Sequence, residues 1–274
     1  MFGVLIAAAA ALSPSPYSID ELMHAPAAAP SWSDEFNGTA LDRSKWSFDT
    51  SRNKIGWYND EKEYYSGDRA ANLRLEKGSL IIEARHDPAE IRKFKDWGGQ
   101  QYSSAKITTQ GKFAFRYGFA EIRAKLPCGR GTWPAIWMMP DYSIGWPKGG
   151  EIDIMEQVGW DPGVVHGTLH TVLFNDNNNG RGASYLVPTS CSDFHRYQMS
   201  WTPDSITIGV DDHAYMQVKN DQPGGRNAWP FDKPFYFILN LAVGGGWGGV
   251  KGIDDSAFPQ DFDVDYVRVW NEAK

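Results

Sequence analysis

From Ser31 onward, short apolar or alternating runs recur between turn signals, and no segment keeps a helical hydrophobic period over about ten residues. The runs include Ser79–Ala84, Lys112–Tyr117, Ala120–Leu126, Ala135–Met139, Glu151–Glu156, Gly167–Leu173, Arg196–Trp201, Ser205–Val210, Phe235–Val243 and Phe262–Trp270. They are rich in Ile, Val, Phe, Tyr and Trp, and Gly, Pro, Asn and Asp bound them. Many short strands without helices predict an all-β, two-sheet jelly-roll sandwich. One sheet of such a fold can curve into a concave cleft suited to a chain-like ligand. With 274 residues the chain can bury one large core without help from metal or disulfides.

The formal net charge of −7 argues against nucleic acid or an anionic membrane as partner. A neutral polymer is unaffected, and the expected state is a monomer. Twelve Trp, 12 Tyr and 14 Phe fit either a β core or a surface that stacks on sugar rings. Cys128 and Cys191 are too few for a zinc cage without histidine, and they fit a bridge or two buried thiols equally. Met1 to Leu12 is apolar, with Pro/Ser and Ala-rich stretches after it. Residues 1–30 therefore read as a signal-like, unstructured segment preceding a catalytic domain over 31–274, and the protein as secreted or periplasmic. The apolar run is too short to span a bilayer.

The chemistry sits in Gly150-Glu151-Ile152-Asp153-Ile154-Met155-Glu156. On a strand, Glu151 and Asp153 share one face and Ile152 and Ile154 the other. Glu156 is out of phase, and a one-residue bulge at Met155 would return it to the face of the other two acids. Three crowded carboxylates are costly, so a stabilising role is implausible. Glycoside hydrolysis with retention uses such a set: a carboxylate nucleophile, a carboxylic acid, and a neighbour that tunes one of them. A calcium site is the bland alternative, but calcium ligands usually come from loops.

Glu-Ile-Asp-Ile-Met-Glu resembles the signature of glycoside hydrolase family 16 in its longer, laminarinase-like form. Further blocks resemble the same family in the expected order: Trp32-Ser-Asp-Glu-Phe-Asn-Gly, Gly56-Trp-Tyr-Asn-Asp-Glu, Ala124-Lys-Leu-Pro, Trp133-Pro-Ala-Ile-Trp-Met, Gly145-Trp-Pro, Ile238-Leu-Asn-Leu-Ala-Val-Gly-Gly and Val264-Asp-Tyr-Val-Arg-Val. The resemblance implies a concanavalin A-like jelly roll and endo-acting hydrolysis of β-1,3-glucan. It makes Glu151 the nucleophile, Asp153 the assisting residue and Glu156 the general acid/base, with no cofactor for catalysis. It also implies a structural calcium held by backbone oxygens of Glu35 and Gly78 and by the Asp265 side chain.

Trp133 and Trp137, four apart on a strand, share a face, as cleft wall or as core pair. The resemblance favours the cleft. Trp247, in a glycine-rich loop, is a further sugar platform, and Trp160 a weaker one. Asn59 and Arg85 match family positions that contact sugar hydroxyls, although Asn59 could serve its own turn and Arg85 a surface ion pair. Glu63 stands where these enzymes commonly carry Gln. His166 and His170 share a face; the resemblance puts His170 beside the catalytic acids, and His166 reads as packing. Gly244, Gly246 and Gly249 spell a dinucleotide fingerprint but lack its strand–turn–helix context. Asn37-Gly38-Thr39 fits a glycosylation sequon. The competing functions are a mixed-linkage β-1,3-1,4-glucanase, an agarase or carrageenase, a transglycosylase, and a lectin-like module that binds glucan without cutting it.

Overall fold

The computed structural model describes residues 18–175 and 180–271. Two β-sheets pack face to face. The larger, ten-stranded sheet runs His213–Lys219, Ser205–Val210, His195–Trp201, Gly118–Lys125, Gln260–Asn271, Ser79–His86, Tyr102–Ser104 and Glu63–Tyr65, with Trp32–Asp34 and Leu73–Glu76 as side strands. The seven-stranded sheet runs Arg181–Leu186, Val164–His170, Glu151–Glu156, Thr132–Pro140, Phe235–Val243, Lys106–Thr108 and Ser47–Phe48. Neighbours are antiparallel except Glu63–Tyr65 beside Tyr102–Ser104. This is the predicted sandwich. Inward-facing Leu80, Ile82, Ile122, Met199, Phe262 and Val264 of one sheet join Ile136, Met138, Ile152, Leu169, Phe237 and Leu239 of the other in one core. The outer face of the seven-stranded sheet is left for polar and aromatic groups.

Lys112–Tyr117, expected as a strand, makes a single bridge, from Phe115 to Phe235. Tyr117 takes a left-handed conformation (φ 66°) and Gly118 follows at φ 132°, which redirects the chain. A side chain at Gly118 would collide with the Trp270 carbonyl, so only glycine fits. The apolar run instead plugs one end of the core, with Phe115 packed on Trp201 and Phe237.

Residues 18–30 are mostly exposed but docked at a few points, whereas an unstructured segment was expected there; residues 1–17 lie outside the described residues. Ile19–Met23 form a short helical turn capped by Ser18. Met23 is fully buried against Phe119 and Ala214, Asp20 accepts from the Ala214 N–H at 2.7 Å, and Trp270 donates to the Ala28 carbonyl. The apolar pattern could not show this docking, because one methionine carries the buried contact.

Cys128 and Cys191 form a disulfide closing 63 residues, a constraint worth about 4 kcal/mol on the chain-entropy account.

Candidate active site

Gly150 opens the central strand of the outer face at φ 81°, pressed so closely on Pro230 and Phe231 that a side chain would clash. Glu151 pairs with His170, Ile152 with Leu169 and Asp153 with Thr168 across one side of this strand. The register then slips by one, so that Glu156 pairs with His166. On the other side the slip falls between Asp153 and Met155. Ile154 and Met155 are both fully buried in the core, as two bulge residues on one side must be. Glu156 is thereby returned to the face of Glu151 and Asp153, so the predicted bulge exists, with Ile154 sharing it with Met155.

Each carboxyl has a defined partner. The Trp146 indole N–H donates to Glu151 Oε2 at 2.6 Å. His170 Nε2 lies 3.1 Å from Asp153 Oδ2. The Trp133 indole N–H donates to Glu156 Oε1 at 2.9 Å. Ligand atoms of Glu151, Asp153 and His170 all lie within 4.8 Å of one another. Such a cluster would suit a cation, but it equally crowds negative charge onto one proton. Burial, and then the Asp153 charge, push the Glu151 carboxyl up to about 8, against the pull of His170 and the Trp146 N–H. Burial lowers the His166 imidazole, favouring its neutral form.

Around the acids stands an aromatic wall. Trp133 and Trp137 are half-buried on the outer face of Thr132–Pro140, outside the sandwich core. Trp137 donates to Asn240 Oδ1 at 2.7 Å. Trp247 sits in a four-residue helical turn, Gly245–Gly248, edge-on to Trp133 at 5.5 Å and to His166 at 4.8 Å. Trp160 acts behind this platform, donating to the Trp247 carbonyl at 2.7 Å. Asn59 adopts φ 57° in its turn, donates to Glu61 at 3.2 Å, and its carbonyl lies against Gly245. It thus serves its turn and borders the Trp247 platform at once.

Other expected residues lie elsewhere. Arg85 is on the larger sheet, ion-paired with Glu83 and 4.0 Å from Asp87, with its side chain partly exposed. Of the expected calcium ligands, the Asp265 side chain accepts from Arg123 at 2.6 Å; Glu35, expected through its backbone oxygen, has its carboxylate on Arg268. An ion at Glu35, Gly78 and Asp265 would have to take the Asp265 carboxylate from a guanidinium. Among the described residues, the one cluster of three side chains with metal-ligating atoms is that of Glu151, Asp153 and His170.

Sequence reasoning did not single out Trp146, Asn240 or Lys106 as site residues. Asn240 had a signal: it is the one amide in the otherwise apolar Phe235–Val243. Lys106 lies 5.2 Å from the Trp137 ring and 4.8 Å from that of Trp57, a placement no local pattern encodes.

The model of the family "Glycosyl hydrolases family 16" matches residues 46–268. A beta-glucanase from Rhodothermus marinus is 49% identical over 249 residues, covering 87% of this chain and 84% of that protein. Among solved structures, a glutamate-to-serine variant of SCLam, a non-specific endo-beta-1,3(4)-glucanase co-crystallised with 1,3-beta-D-cellotriosyl-glucose, matches with a TM-score of 0.88 at 50% identity, over 91% of this chain and 97% of that one. The laminarinase from Rhodothermus marinus matches with a TM-score of 0.82 at 46% identity, over 90% of this chain and 98% of that one.

Proposed function

Because this chain belongs to glycosyl hydrolase family 16, we propose that it hydrolyses internal β-1,3-glucosidic bonds of laminarin-type glucans by double displacement with retention. The observation that carries the reading is the bulged strand, which sets Glu151, Asp153 and Glu156 on one face under an indole wall. In this reading Glu151 attacks the anomeric carbon while Glu156 protonates the departing glycosidic oxygen. Water then displaces the sugar from Glu151, with Glu156 now taking its proton. Trp133 aims the Glu156 carboxyl, and Asp153 with His170 governs the proton on Glu151. Trp137 and Trp247 stack on the pyranose faces of the chain, with Asn59 beside them. No step needs a metal or cofactor.

Reducing-end release from laminarin, lichenan, carboxymethylcellulose and agarose tests the substrate. Laminarin is expected to be cut; retained binding without cleavage of any of the four would establish a binding module, and cleavage of agarose alone would overturn the substrate. Mixed-linkage cleavage is the second reading, favoured by the likeness to a non-specific endo-beta-1,3(4)-glucanase; lichenan cleavage would support it. Secretion or periplasmic export is supported by the Cys128–Cys191 bridge, since such bonds persist in oxidising compartments.

The pH profile follows from the crowding. Glu151 must lose its proton to attack, and Asp153 helps to hold that proton on. The kcat/KM profile should therefore rise on an acid limb, and Asp153→Asn, which removes the repelling charge, should move that limb to lower pH while lowering the maximum. A limb left in place or moved upward in Asp153→Asn would show that Asp153 does not control the proton.

A further inference from the structure

Behind Asn59 and Trp247 lie two acids that the proposed mechanism does not use. Glu63 is fully buried, with 0% exposure. Its Oε2 accepts from the Val243 N–H at 2.7 Å, while its Oε1 finds no donor among the described residues. The Glu61 carboxyl stands within hydrogen-bonding reach of it. Two ionised carboxylates cannot face each other there at acceptable cost. A single proton resolves both problems, because it turns the orphaned Glu63 oxygen into a donor toward Glu61.

The surroundings agree. Burial, then the Glu61 charge, hold the Glu63 carboxyl well above the ordinary range. Burial raises the Glu61 carboxyl as well, against the pull of Lys106, which itself lies 3.1 Å from Asp49. The Tyr65 hydroxyl also faces the pair, and Lys62 is exposed. From this pair, contacts reach the cleft wall on two sides. Glu61 Oε1 accepts from Asn59, and Gly245 packs so closely that a side chain there would lie 3.0 Å from the Asn59 carbonyl and 3.2 Å from Glu61 Cγ. On the other side, Asn240 donates to the Tyr65 hydroxyl at 2.9 Å and accepts from Trp137 at 2.7 Å.

We propose that Glu63 and Glu61 share one proton and act as positioning residues, locking Asn59 and the Gly244–Gly249 turn that bears Trp247 into the shape that receives the sugar chain. This rests on reading the cleft as a glucan site. Loss of the proton at alkaline pH leaves two repelling charges and loosens the wall, so KM for laminarin rises while kcat changes less.

The shared proton is tested without substrate. The infrared difference spectrum of the full protein, wild type minus Glu63→Gln at neutral pH, should show the carbonyl band of a protonated carboxylic acid. Absence of that band overturns the proposal. Its presence in a protein that leaves laminarin uncut would keep the shared proton and defeat the substrate reading instead. The positioning role is tested by pH-dependent kinetics. Glu63→Gln offers a permanent N–H to Glu61, so the alkaline rise in KM should disappear; an unchanged rise overturns the role. Glu63→Leu offers no donor and should raise KM about tenfold at neutral pH. Should that variant fail to fold, the glutamine variant still decides.

Discussion

Glu151→Ser is expected to lower laminarin hydrolysis by about 10⁴-fold or more, on the order of 5.5 kcal/mol of barrier, with binding retained. Serine removes the carboxylate that the proposed mechanism uses to form the covalent sugar intermediate but leaves Trp133, Trp137 and Trp247 in place. Reducing-end assays measure the loss, and calorimetry with laminarin measures the binding. Near-wild-type turnover would show that the nucleophile lies elsewhere. The same residue carries a stability cost. A free glutamate ionises near 4.5, whereas this one is held up to about 8. Its folded pKa is raised, so its contribution is fully present below about 4.5 and is lost as pH rises toward 8. Glu151→Gln should therefore be inactive yet more stable than wild type at pH 7, by on the order of 3 kcal/mol before allowance for lost hydrogen bonds. Urea unfolding at pH 4 and pH 7 reads the difference, which should shrink at the lower pH. A gap of equal size at both would contradict the placement of that proton.

Glu156→Gln carries the second large effect. Glutamine keeps the size of the side chain and can still meet the Trp133 N–H through its carbonyl oxygen, but it cannot deliver a proton. Cleavage of laminarin should fall by about 10²- to 10⁴-fold. A glucoside with an activated aryl leaving group needs little protonation, so its bond-breaking step should be largely spared, and the covalent intermediate should accumulate. A small nucleophile such as azide should then restore turnover. Equal loss on both substrates, without rescue, would remove Glu156 from the acid role.

The sheet sandwich was readable because its main strands are short apolar runs bounded by turn residues: Ser205–Val210, Phe235–Val243 and Glu151–Glu156 have the expected bounds. The acidic face was readable from strand alternation, since Ile152 and Ile154 had to point inward, and only a slip could return Glu156 to the side of Glu151. Short or polar strands such as Glu63–Tyr65 and Arg181–Leu186 give too little period to be seen. Phe113 and Phe115 looked like strand residues, but the left-handed Tyr117 ends that possibility. Trp146 was hidden because its role depends on how the loop before Gly150 folds back over Glu151. The Arg85–Glu83 ion pair arises from two residues on one face of the same strand. The Cys128–Cys191 pairing depends on a proximity of 5.8 Å between Cα atoms that no local pattern records.

The most direct test of the central claim is the anomeric configuration of the first products. Proton NMR of a laminarin digest, recorded before mutarotation equilibrates the new reducing ends, should show the β-anomer first, as two displacements through Glu151 require. Initial appearance of the α-anomer would mean a single displacement by water, and would contradict the assignment of Glu151 as nucleophile.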